Sequence, residues 1–250
     1  MRARVPGALV LAAGLAACID DPSTTSPIAI APSAMSVAAD GSTLVTLTVS
    51  AATDGDVTLT ASSGAFVDAP VPAAGAPATR TVKTARGSTS VSYRAGLDIG
   101  TAVITASAGS FTASTSIALT ASLPTQIALT PSRTSVVGDG ASFVELQTDV
   151  LAVRPALVSH GTALRFEVCC TTVDGAAIKC PGAVPLSVPS VVRLPDQQLA
   201  VRAVAVHAAA ATSAILVAWL DDAKLTGSLC RAAATAEVRS NEIAVSIAAP

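Results

Sequence analysis

From residue 28 onward the chain alternates between apolar and polar positions. "TLVTLTVS" (43–50) sets Val45, Leu47 and Val49 on one face and Thr46 and Thr48 on the other. "DVTLTA" (56–61) repeats this with Val57 and Leu59, and "STSVSYRAG" (88–96) groups Thr89, Val91 and Tyr93. "SFTASTSIALT" (110–120) collects Phe111, Ala113, Thr115, Ile117 and Leu119 on one side. Period-two alternation in β-branched residues predicts antiparallel strands, one face in a core and one in water. The breaks between them ("TDGD", "SSG", "ARG", "SAG") are turn sequences. "DAPVPAAGAPAT" (68–79) is too rich in Pro, Ala and Gly for a strand and reads as a long loop.

One phrase returns. "IAIAPSAMSVAADGSTLVTL" (28–47) aligns without a gap on "IALTPSRTSVVGDGASFVEL" (127–146), 99 positions later. Ile28 matches Ile127, Pro32 matches Pro131, Val37 matches Val136, and Asp40-Gly41 matches Asp139-Gly140. Solenoid repeats run to roughly 20–50 residues, whereas an immunoglobulin-like sandwich takes about 100. The chain is therefore all-β, two tandem immunoglobulin-like antiparallel β-sandwiches, expected at 28–122 and 123–250. Each opens with a strand, a Pro-Ser break, a short strand, an Asp-Gly turn and a second strand.

The first 27 residues differ. "MRARVPGALVLAAGLAAC" has a basic start (Arg2, Arg4), an apolar run from Val5 to Ala17, and small residues before Cys18. That run is shorter than the roughly 17–25 residues a bilayer span needs and suits a secretory signal. "LAAC" resembles the lipobox of bacterial lipoproteins, which implies cleavage after a signal peptide (1–17) and lipid on Cys18. "IDDPSTTSP" then makes 18–27 a lipidated N-terminus and polar tether. Two or more acyl chains would hold the protein on its membrane, at about 0.8 kcal/mol per buried methylene. Ile19, in place of an Asp after the cysteine, leans by resemblance toward the outer membrane. The expected location is the cell envelope, lipid-anchored, on a surface or periplasmic face.

Composition narrows the function. Aromatic residues are 2% of the chain, so the cores must be aliphatic. Net charge is −2, and no long basic run is present to neutralise phosphates, which argues against nucleic acid. No nucleophile elbow or phosphate loop appears, and no motif gives His160 or His207 catalytic partners. The reading is therefore no enzyme, no cofactor and no metal site. "TDGDV" (53–57) and "LDDAKL" (220–225) offer paired carboxylates to calcium, but Asp-Gly is first a turn signal. Trp219 in "AILVAWL" is in phase with Ile215 and Val217 and reads as core.

The strings "VAADGS", "VTLTVS", "DVTLTASSGAFV", "STSVSYRAGLDIGTAVITASAGS" and the closing "IALT" resemble the bacterial immunoglobulin-like group 1 domain of invasin- and intimin-type surface proteins. The resemblance covers 28–120 well, and the second copy at its start and at "NEIAVSI" (241–247). It implies a stalk or spacer module without enzymatic activity, in a membrane-anchored envelope lipoprotein of structural or adhesive role. The alternative is an accessory ligand- or glycan-binding lipoprotein of a surface assembly. Partners would be the membrane, through the anchor, and another envelope or host-surface protein.

Besides Cys18, the chain has four cysteines, all in the second copy: Cys169, Cys170, Cys180 and Cys230. An even count in an exported chain predicts two disulfides. Cys169 and Cys170 are adjacent in a strand and point to opposite sides, so one should bond Cys180 and the other Cys230. Arg165 and Glu167 read as an outward, solvated edge. The polar segment 221–240, with Asp221, Asp222, Lys224 and Arg231, is the expected contact surface, because recognition concentrates on loops of rigid scaffolds.

Overall fold

The structure is a computed structural model that describes residues 28–70, 76–85, 87–172, 175–208, 210–221, 227–231 and 237–250. All of its regular structure is β. The first unit comprises β1 (Ile28–Pro32), β2 (Ser36–Ala38), β3 (Leu44–Ala51), β4 (Gly55–Ala61), β5 (Ala65–Phe66), β6 (Ala78–Thr84), β7 (Ser88–Arg94), β8 (Gly100–Ala108) and β9 (Phe111–Thr120). They form a four-stranded sheet in the order β1-β3-β7-β5 facing a five-stranded sheet in the order β2-β9-β8-β4-β6. The alternating positions read from sequence lie between the sheets: Val45, Leu47 and Val49 against Leu59, Val91, Tyr93, Ile104 and Ile117. Tyr93 is fully buried, and its hydroxyl donates to the Ser63 carbonyl at 2.9 Å. Gly64 (φ +76°) lies directly beneath that ring and the Arg94 carbonyl, where a Cβ would clash with both. The strand β6 begins at Ala78, inside the stretch expected to be loop; its Thr and Val residues outweigh the Pro and Ala before them, and 71–75 lie outside the described residues.

The second unit repeats the plan. Its strands are β10 (Gln126–Pro131), β11 (Ser135–Val137), β12 (Phe143–Leu151), β13 (Ala163–Thr171), β14 (Ala177–Lys179), β15 (Leu186–Ser187), β16 (Val191–Arg193), β17 (Gln198–Ala205), β18 (Thr212–Leu220) and β19 (Ile243–Ala248). The sheets are β10-β12-β17-β15 and a six-stranded β11-β19-β18-β13-β14, with β16 also on β13. A separate core of Ile127, Leu146, Leu164, Phe166, Leu216 and Val245, among others, fills it.

The repeat is visible at atomic detail. Ser33 and Ser132 each donate their amide to a carbonyl 13 residues on, of Thr46 and Glu145, at 2.8 Å in both cases. Each hydroxyl accepts the returning amide at 3.0 Å. Asp40 Oδ1 accepts the amides of Ser42 and Thr43 at 2.8 and 2.7 Å, and Asp139 Oδ1 those of Ala141 and Ser142 at 2.8 and 2.6 Å. The following glycines, Gly41 and Gly140, both have positive φ, the left-handed geometry that glycine adopts without steric cost. The short second strand then switches sheets, β2 pairing in parallel with β9 and β11 with β19.

The copies differ in three links. The β3–β4 link is 52–54, whereas the β12–β13 link is 152–162, and this longer loop reaches back to the first unit. Leu157 N donates to Asp40 O at 3.0 Å and His160 N to Leu97 O at 2.9 Å. Ser159, 1% exposed, donates its hydroxyl to Ala39 O at 2.7 Å and accepts the Ser122 amide at 2.7 Å. His160 Nδ1 lies 3.0 Å from Asp98 Oδ1. The junction is thus a polar clasp around one buried serine. The other two differences shape the candidate site. The β8–β9 turn at 109–110 becomes an excursion over 221–242, and the continuous edge strand β6 is replaced by short β14 and β16.

Candidate interaction surface on the second module

Strand β18 (TSAILVAWL) is buried on both faces. Ala214, Leu216 and Ala218 point into the sandwich core. Ile215, Val217 and Trp219 point outward, into a second small core with Cys169, Leu229 and Cys230. Aliphatic and aromatic side chains on the outer face of a sheet need a cover, and the excursion after β18 supplies it. Trp219 is 1% exposed. Its Nε1 donates to the Leu229 carbonyl at 3.1 Å, and the guanidinium carbons of Arg231 and Arg239 each lie 5.4 Å from its ring centroid. The sequence phase of Trp219 with Ile215 and Val217 was legible; that their shared face is the outer one was not.

Two disulfides fasten this face. Cys169 bonds Cys230, 61 residues away, and Cys170 bonds Cys180 across the adjacent hairpin. The neighbouring cysteines take partners on opposite sides of β13, as strand alternation requires. Cys169 faces the cover and is fully buried, while Cys170 is only half-buried.

The expectation for Arg165 and Glu167 is corrected. Their face is outward but not a solvated one, because Asp221, Ser228 and Leu229 of the following excursion engage both side chains. Arg165 Nη2 pairs with Asp221 Oδ1 at 2.8 Å. Glu167 accepts the Ser228 hydroxyl at 3.2 Å and also the Leu229 amide. Its carboxylate holds the turn that lowers Leu229 and Cys230 onto the sheet.

The residues nominated in the loop are therefore largely engaged within the chain. Asp221 is paired to Arg165, and Arg231 to Glu237, Nη2 to Oε1 at 2.5 Å. That pairing holds the Arg231 guanidinium above its ordinary range. Asp222 and Lys224 lie outside the described residues, as does Cys18. Of the paired carboxylates, Asp54 accepts the Gly87 amide at 3.2 Å, and Asp56 stands opposite Lys83 in the β4–β6 ladder. Among the described residues no three His, Cys, Asp or Glu side chains converge on a point. His207 is exposed in the loop after β17, and His160 belongs to the junction. The junction residues Leu157, Ser159 and Asp98 were missed from sequence; the signal for them was the extra length of the β12–β13 link relative to its counterpart.

A gap lies beside the covered face. In the first unit all seven residues of β4 pair with β6. In the second, β13 pairs with β16 at 163–165 and with β14 at 169–171, leaving Phe166–Val168 without a partner strand on that side. The intervening chain "CPGAVPLSVPS" (180–190) carries three prolines, each without the N–H an edge ladder needs. A groove of about 510 Å³ opens there, lined by Phe166, Val168, Lys179, Val184, Leu186 and Val206 among others.

No protein-family profile matches the chain, and no curated protein sequence matches it. Solved structures do. The Yersinia pseudotuberculosis adhesin InvE is similar over 90% of this chain and 59% of its own, with 12% identity and a TM-score of 0.55. Invasin, described as a bacterial integrin-binding protein, is similar over 86% of this chain and 38% of its own, with 15% identity and a TM-score of 0.51. The chain thus spans about three-fifths of one and two-fifths of the other. At these identities the likeness concerns the fold, which is the tandem immunoglobulin-like sandwich found in invasin-type proteins.

Proposed function

We propose that this chain is a non-enzymatic, lipid-anchored protein of the bacterial cell envelope, in which the first module is a spacer and the second presents a contact surface to another protein. The carrying observation is the asymmetry between duplicated units. The first is a plain sandwich; the second has gained a junction loop toward its neighbour, a disulfide-pinned cover over β13 and β18, and an interrupted edge. The elaboration falls on the unit farther along the chain from Cys18. Likeness of fold to two bacterial surface proteins, one an adhesin and one integrin-binding by description, supports the structural or adhesive reading. Stacking of a sugar on Trp219 or Tyr93 is not available, since both rings are buried. The cover (221–240) and the strand beneath it form the proposed contact region, and the outer membrane is the proposed site.

The test is palmitate labelling of cells producing the chain or its Cys18→Ala variant. Label and membrane partitioning should both disappear in the variant; unchanged partitioning would defeat the anchor.

A further inference from the structure

The interruption in β13 leaves specific groups unused. Along β18, the amides of Ala218 and Leu220 face β19 and its approach, donating to Ser240 Oγ and Val238 O. Ala218 and Leu220 stand opposite Phe166 and Leu164, and alternation of the ladder therefore turns the N–H and C=O of Phe166, and of Val168 two residues on, to the far side of β13. Phe166 N finds the Ser190 carbonyl there at 2.9 Å. The neighbours of the Val168 carbonyl are Cys180 Sγ at 3.8 Å and Cys230 Sγ at 4.0 Å. Both sulfurs are in disulfides and carry no proton, so neither can donate. The register Cys169↔Lys179 continues to set Cys180 opposite the Val168 carbonyl; among the described residues the Val168 amide has no acceptor. An open strand amide at an interrupted edge is a template for another extended backbone.

The surroundings define what could fill it. The seam is floored by Phe166 and Leu186, and on its rim Val184 and Val206 are 41% and 39% exposed. Clustered exposed aliphatic side chains beside a groove mark a binding surface more often than scattered ones do. Two charged side chains line it. Glu167 is committed to Ser228 and Leu229, whereas Lys179 is exposed and has no ion pair among the described residues. A single available cation beside an aliphatic seam complements a carboxylate flanked by aliphatic residues.

We propose that this gap is a docking site for an extended acidic–aliphatic segment of a partner protein, which completes the interrupted edge. Its backbone pairs with Val168, an aliphatic side chain enters the seam over Phe166 and Leu186, and a carboxylate meets Lys179. The inference deepens the adhesive reading above by naming the chemistry of the partner. Binding of a peptide in solution is nonetheless independent of Cys18, so this site and the anchor fail separately.

The probe is a fluorescein-labelled peptide, Ser-Val-Glu-Val-Thr-Val, with a counterpart carrying Lys in place of Glu, titrated by polarisation against the oxidised full-length chain in detergent. The acidic peptide should bind saturably and the basic one should not. Lys179→Glu should weaken the acidic peptide about tenfold and transfer binding to the basic one. Val206→Asp should weaken the acidic peptide by a similar factor, about tenfold. Both substituted side chains are on the surface, and unchanged Trp219 emission verifies folding. In hydrogen exchange, the Val168 amide should gain protection on binding. Equal binding of both peptides, indifference to Lys179→Glu, or an unprotected Val168 amide would overturn the proposal. So would sedimentation showing that the chain alone dimerises through this edge, with Val206→Asp abolishing the dimer.

Discussion

Ser159→Ala should uncouple the two modules without unfolding either. The serine hydroxyl, itself buried, is the shared partner of the Ala39 carbonyl and the half-buried Ser122 amide, each at 2.7 Å. Alanine preserves the Ser159 amide, which donates to Ser122 O at 3.0 Å, but orphans the two groups the hydroxyl served. A buried polar group without a partner costs about 1–3 kcal/mol, so two place about 2–6 kcal/mol on the junction. That loss falls on docking alone, because Ile28–Leu119 and Ile127–Ile247 belong to separate cores. Even about 2 kcal/mol shifts the docked-to-undocked ratio by about thirtyfold. Residual dipolar couplings measured on amides of both modules provide the assay. In the parent chain one alignment tensor should fit both; in the variant two tensors of different magnitude should be needed, while amide shifts distant from the junction stay fixed. A single common tensor in Ser159→Ala would refute the idea that this serine holds the modules together.

Four further outcomes follow from the same geometry. Removing Cys169–Cys230 by paired Ser substitutions should cost about 4 kcal/mol by loop-closure entropy, against about 3 kcal/mol for Cys170–Cys180; the first should also shift Trp219 emission to the red and the second should not, read in guanidinium unfolding by fluorescence. Amides of Ser142 and Ala141 hold the Asp139 carboxyl at about 2, below its unfolded value of about 3.9. Its contribution is therefore complete above about pH 4 and is lost as pH falls toward about 2; Asp139→Asn should flatten the acid limb of the unfolding curve over that window. Burial pulls the Asp40 carboxyl up, but the Thr43 and Ser42 amides and the Thr43 hydroxyl outweigh it and leave it lowered, so Asp40→Asn should act in the same direction, measured by the same titration. Finally, Gly64→Ala should lower the thermal midpoint of the first module, because its Cβ would meet Arg94 backbone and the buried Tyr93 hydroxyl.

Sequence alone carried the all-β class, the duplication, the leading turns and the aliphatic core, because each rests on local periodicity or on a repeated string. Val45, Leu47 and Val49 alternate in the structure as they do in the text. What was not legible depends on contacts between distant segments. Arg165 and Glu167 alternate like solvated residues, and nothing local reports that 227–231 folds back over them. The outer-face burial of Trp219 is likewise a property of the cover. The junction depends on Ser159 meeting Ala39, 120 residues away. The interrupted edge was present in the prolines of 180–190, but its meaning emerges only beside β6, where the other copy keeps the edge whole.

Duplication followed by divergence also locates function by a physical argument. Two copies that share a turn down to the same carboxylate oxygens were under the same folding constraints, so features common to both serve the fold. Features found in one copy answer to something else. A cover that buries Ile215, Val217 and Trp219 adds an apolar layer the first sandwich does without, and the disulfide that pins it offsets the entropy of closing a long excursion. The interrupted edge works in the opposite direction, because an unpaired strand position invites pairing with other chains. A fold that kept this edge strand continuous in one copy and interrupted it in the other has a reason outside folding for the opening. Restoring an edge is thus the decisive perturbation: changing Pro185 and Pro189 to Thr together should raise stability if the gap is a defect, and should abolish peptide binding if it is a site. Calorimetry and polarisation on the same double variant separate the two, and retained binding at full affinity would refute the assignment of the gap.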